Sequence, residues 1–134
     1  MDVPRFSPTI ALLTLARAVE VDAARILEPV GLSVRKLQLL QRLLSTPGAT
    51  PGDLARTVGL TTEEVEPLLR AMVTTGLIKH ARDGALSATN LGEQSVTRVD
   101  AALAELDART FAGRAGLASE LIDATQRPLG APQD

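Results

Sequence analysis

The stretch Thr50–Ile78, TPGDLARTVGLTTEEVEPLLRAMVTTGLI, alternates helix starts with glycine stops. Thr50 is placed as an N-cap, Pro51 suits the first helical position, and Asp53 suits the positive end of the helix dipole. Gly59 permits the left-handed backbone that a sharp turn requires. Thr61 and Glu64 form a T-x-x-E capping box, after which Val65, Leu68, Leu69, Met72 and Val73 recur at helical spacing. Gly76 is placed to end that second helix. Two helices joined by a glycine turn make a helix-turn-helix pattern, in which the second helix enters a DNA groove. The spacing predicts that reading helix over 61–75.

Downstream, Asp83-Gly84 separates two short extended segments, Leu77 to Arg82 and Ala85 to Thr89, which signals a hairpin over 78–89. A helix-turn-helix running into a hairpin is a winged helix. Asn90 with Glu93 reads as the start of a long helix to about Arg109, carrying Val96, Val99, Leu103 and Leu106, with Phe111 at its end. A last helix is predicted over about 117–127. Upstream, Ser7-Pro8 starts a helix to about Glu28, and Ser33 caps another to about Leu44 with Val34, Leu37, Leu40 and Leu44 inward. The first helix has an apolar stripe of Leu12, Leu15, Ala16, Val19, Ala23, Ile26 and Leu27, with Ile10, Leu13 and Val21 off it. Core packing and a subunit interface both account for that pattern.

The expected fold is mainly α with a small β-hairpin wing, a winged helix-turn-helix flanked by N- and C-terminal dimerisation helices. One domain is expected over 1–134, with 33–89 as the winged unit and 1–32 and 90–134 as the dimerisation helices. Apolar faces on the outer helices require a cover that so small a winged unit does not supply. A homodimer follows, with Phe6, Ile10, Leu13, Phe111, Leu117 and Leu121 at its interface.

At 134 residues, 45% hydrophobic and 22% charged, the chain is long enough for a continuous core and too apolar for a disordered one. The absence of cysteine removes thiol chemistry, and a single histidine, His80, argues against a zinc site or a histidine-based catalytic pair. No catalytic motif, phosphate loop or metal cluster is present, so neither an enzyme nor a bound cofactor is expected. No apolar run reaches membrane-spanning length and no signal-peptide pattern opens the chain, so a cytoplasmic protein with no membrane partner is expected. The net charge is −2, but its distribution is uneven. Between Ser33 and Asn90, the bases Arg35, Lys36, Arg42, Arg56, Arg70, Lys79 and Arg82 outnumber the acids Asp53, Glu63, Glu64, Glu66 and Asp83. That positive middle is compatible with DNA.

Leu27-Glu28-Pro29-Val30-Gly31-Leu32-Ser33, continuing into Leu37, Leu40 and Leu43-Leu44, resembles the joint between the first two helices of MarR-type (multiple antibiotic resistance) transcription regulators. The resemblance continues through Gly48 to Ala55, Val58-Gly59-Leu60 and Val65 to Leu69. Gly76-Leu77-Ile78 is similar to the family's approach to the wing, and Thr89-Asn90-Leu91-Gly92 to its Thr-x-x-Gly at the wing's exit. It covers nearly the whole chain. The resemblance implies a triangular dimer, the fourth helix in the major groove, the wing near the minor groove, and repression relieved by a small-molecule effector.

On this reading the DNA-contacting residues are Thr61, Thr62, Glu66 and Arg70 in the major groove. Lys79, His80 and Arg82 on the wing and Arg35, Lys36 and Arg56 elsewhere serve the phosphates. Two features depart from the family pattern. The wing, His80-Ala81-Arg82-Asp83-Gly84, is short, and the reading helix carries Glu63, Glu64 and Glu66. Carboxylates repel phosphates, and cytosine's amino group is their one evident base partner. Pro67 lies inside the same helix, where a kink or a displaced helix start is expected. These features support an alternative: a winged-helix dimer that has lost DNA and acts on a protein partner.

Overall fold

The computed structural model describes residues 7–127, and serine or threonine side chains set where its helices begin. Ser7 accepts from the Ile10 N–H, Ser33 from Lys36, Thr50 from Asp53, Thr61 from Glu64 and Thr89 from Gly92. Each hydroxyl thereby satisfies a donor that the first helical turn leaves free. The helices so started are α1 (Pro8–Leu27), α2 (Val34–Ser45), α3 (Pro51–Val58), α4 (Thr62–Thr74) and α5 (Asn90–Thr110). A 3-10 turn, Glu28–Val30, follows α1, and α6 (Ala115–Gln126) starts at Arg114 without a side-chain cap. Strands β1 (Ile78–His80) and β2 (Leu86–Ala88) form an antiparallel hairpin, with Lys79 opposite Ser87. This is the mainly helical winged helix-turn-helix that the sequence predicts.

The core lies where α2, α3, α4, the hairpin and α5 meet. Leu39, Leu40 and Leu43 of α2, Leu54 of α3, Val65 and Met72 of α4, Ile78 and Leu86 of the wing and Val99 of α5 are essentially inaccessible there. Leu27, at the end of α1, joins the same cluster. On α2 the inward residues include Leu39 and Leu43, whereas Leu44 is exposed. The buried arc of α2 is thus wider than a single three-four stripe and turned away from Leu44. Along α1, Leu12 and Leu15 of the predicted stripe are exposed, as are Ile10, Leu13 and Val21. That helix packs on α2 and α5 through one narrow edge and leaves its remaining apolar surface open.

Three local expectations change. The cap of α5 is Thr89 rather than Asn90, because the threonine hydroxyl also donates to the Gly76 carbonyl, a partner outside the local pattern. The helix α4 runs unbroken through Pro67 and starts at Thr62, next to its Thr61 cap, so its start is not displaced. The proline's missing N–H costs only the bond to the Glu63 carbonyl, on the solvent side of the second turn. The hairpin loop is three residues, Arg82-Asp83-Gly84, closed by Gly84 N–H to the Ala81 carbonyl at 2.9 Å and Ala81 N–H to the Ala85 carbonyl at 2.8 Å. Gly84, at φ 84°, supplies the left-handed residue that such a loop needs. Arg82 consequently sits in the loop and not in a strand.

Candidate nucleic-acid interface

The turn between α3 and α4 begins at Gly59, whose φ of 69° is left-handed. The Leu60 N–H returns to the Ala55 carbonyl at 2.9 Å, closing the end of α3 and aiming the chain into α4. Reciprocal capping boxes fix both helix starts: Thr50 with Asp53, and Thr61 with Glu64. With Val65, Leu69 and Met72 buried, the residues on the other side of α4 are in solvent: Glu63, Glu66, Pro67, Arg70 and Thr74. Thr62 is exposed at the first turn, while the Thr61 hydroxyl is engaged as the cap. The structure therefore brings Thr62, Glu66 and Arg70 together on one open face, with Glu63 among them. Glu64 is separate from that group because its carboxylate turns back to the Thr61 N–H at 3.1 Å.

On the wing, Lys79, His80 and Arg82 are all exposed, the first two on β1 and the third in the loop. The Asp83 carboxylate accepts from the Ala85 N–H at 3.0 Å, which stabilises the loop. The wing is also held to the loop before α3, where the Gly48 N–H donates to the Leu86 carbonyl at 3.0 Å.

The remaining predicted phosphate contacts are placed differently. The Arg35 guanidinium reaches across from α2 and donates through Nη1 to the Val58 carbonyl at 2.9 Å. Its charge there complements the negative end of α3 and ties α2 to the residue just before the turn. Lys36 is half-buried. Arg56 is exposed and paired with Asp53, three residues back on the same helix. Thr50, through side chain and then main chain, holds the Asp53 carboxyl below the usual carboxylate value, with the Arg56 charge assisting.

Two residues that govern the interface lie outside the predicted contact set. Thr89 caps α5, donates to the Gly76 carbonyl, and uses its N–H on the Leu77 carbonyl at 3.0 Å. Gly92, one turn on, packs directly on that Leu77 carbonyl. Together they fasten the end of α4 and both strands of the wing to the start of α5. The T-x-x-G spacing was the signal available in the sequence.

Of the residues predicted at the dimer interface, Ile10 and Leu13 are each 60% exposed, Leu117 is 39% and Leu121 is 36%. Phe111, at the C-cap of α5, is half-buried, and Phe6 lies outside the described residues. Among the described residues no helix is long and apolar enough to cross a membrane.

No family model matches the chain, and no curated protein does. Solved structures do. The Mycobacterium tuberculosis MarR family protein Rv2887, in complex with DNA, superposes with a TM-score of 0.71 at 23% identity, covering 97% of this chain and 100% of that one. CouR from Rhodococcus jostii RHA1, bound to p-coumaroyl-CoA, gives 0.78 at 19% identity over 94% and 96% of the two chains. The reduced form of MarR from E. coli gives 0.73 at 13% identity over 90% and 93%. Over the described residues the fold is that of MarR-family regulators.

Proposed function

We propose that the protein is a homodimeric DNA-binding transcription regulator, acting as a repressor in the cytoplasm. The observation that carries this reading is the common exposure of the α4 face and the wing, both held rigidly on a helix-turn-helix core. Two copies would present two such helices to successive half-sites, roughly 34–36 Å apart on a pseudo-palindromic operator. Residues 33–89 form the DNA-binding part. The segments 1–32 and 90–134 form the dimer, bringing together the apolar surfaces of α1 and α6, and the whole of 1–134 acts as one domain. Thr61, Thr62, Glu66 and Arg70 face the major groove, and Lys79, His80 and Arg82 face phosphates. Arg35, Lys36 and Arg56 contribute only charge from a distance, given their internal partners or burial. A neighbour of the same fold bound to DNA supports the reading, and one bound to p-coumaroyl-CoA supports a small-molecule effector.

The exposed carboxylates of Glu63 and Glu66 favour a second reading, in which the same face docks a basic protein surface and DNA is not bound. Titration of the full chain with the DNA upstream of its own gene separates the two. Sequence-selective binding that weakens steeply with added salt is expected. Absence of binding even at low salt overturns the DNA reading and leaves the protein partner.

A further inference from the structure

Glu66 and Arg70 lie four residues apart on α4, the spacing at which opposite charges on a helix ordinarily pair. Both are exposed, and among the described residues neither takes part in an ion pair. Both side chains are therefore free to engage a ligand, and resting on the DNA reading above, that ligand is the edge of the major groove. Four residues advance about 6 Å along a helix, which is roughly two base-pair steps of DNA.

A carboxylate is selective in that groove. Guanine offers only acceptors, and thymine an acceptor and a methyl group. Adenine's amino group lies beside the N7 acceptor, which repels an anion. Cytosine alone presents an amino donor with no acceptor beside it on the same base. Pointed at a phosphate, the same carboxylate would only be repelled. The guanidinium of Arg70, one turn further along the same flank, matches the O6 and N7 pair of guanine. We infer that Glu66 and Arg70 are the specificity-determining pair of this protein, with Glu66 selecting a cytosine and Arg70 a guanine about two base pairs away.

The test is selection from a library of random-sequence duplexes with the full-length wild type, Glu66→Gln and Arg70→Ala. Both substitutions are at exposed positions, and unchanged far-UV circular dichroism confirms folding. Wild type enriches a fixed cytosine and a fixed guanine in each half-site. Glu66→Gln changes the cytosine to adenine, since an amide pairs with N6 and N7 together, and leaves the other positions as they were. Discrimination at that position reverses by roughly 5- to 150-fold. Arg70→Ala loses the guanine alone. A Glu66→Gln variant that keeps the wild-type cytosine, or that tightens on every sequence equally, overturns the base-reading pair and leaves DNA binding intact. A wild type that enriches no sequence overturns both.

Discussion

A β-carbon added to Gly92 would lie 2.2 Å from the carbonyl oxygen of Leu77 and 3.0 Å from a methyl group of Leu40. The first neighbour is backbone at the root of the wing, and the second is a fully buried core side chain, so neither yields easily. Gly92→Ala should therefore destabilise the protein by about 1–3 kcal/mol. A lower midpoint in urea unfolding at an unchanged slope is the expected result. An unaltered midpoint would mean that α5 can move away from the wing freely.

The cap of α5 makes a second prediction, because the two adjacent candidates differ in partners. Thr89→Val removes the hydroxyl that both caps α5 and reaches the Gly76 carbonyl, and should cost about 1–2 kcal/mol. Thr89→Ser retains both bonds and should stay near wild type. Asn90→Ala should do little. Thermal melts of the three variants rank them, and an Asn90→Ala loss equal to that of Thr89→Val would contradict the observed cap.

Arg35 and the wing cations should separate when stability and DNA binding are measured together. Arg35→Ala loses its bond to the Val58 carbonyl and should lower stability by about 1 kcal/mol while changing the salt dependence of DNA binding less than Arg82→Ala does. Arg82→Ala should leave stability unchanged and reduce the slope of log affinity against log salt by about 1. Titrations at several salt concentrations, with a urea curve for each variant, test both.

Acidification acts on α3 through Asp53. Folding lowers the pKa of this carboxyl, chiefly through hydrogen bonding with Thr50. The ionised group therefore stabilises the native state above its unfolded pKa, and the contribution fades as pH falls through the lower folded value. Asp53→Ala should be less stable than wild type at neutral pH, and the gap should close at strongly acidic pH. Thermal melts across that range give the comparison. A gap independent of pH would show that the charge of Asp53 has no part in it.

These residues also show what was readable without coordinates. The boxes of Thr50 with Asp53 and Thr61 with Glu64 are complete within four residues, so their pattern is their structure. Pro67 was expected to disturb α4, yet the bond it forfeits lies on the solvent side and the helix continues. The cap bond of Thr89 to Gly92 is local and its T-x-x-G spacing is in the sequence, but the second bond, to Gly76 thirteen residues away, is not. Arg35 reads as a phosphate contact in the sequence, because nothing in its own helix indicates the Val58 carbonyl. On α1 the periodic Leu12 and Leu15 and the off-stripe Ile10 and Leu13 are all exposed, and periodicity carries no information about what covers an apolar face. Local chemistry was legible, and partners distant in sequence were not.

None of the twelve residues of α6 is fully buried, and the helix begins without a capping group. A helix of that length has little stability alone in water, where the cost of nucleating the first turn is not repaid by packing. Its order in an isolated chain is therefore provisional. In the proposed homodimer a second chain would supply that packing, so the amount of helix at the C-terminal end should rise with protein concentration.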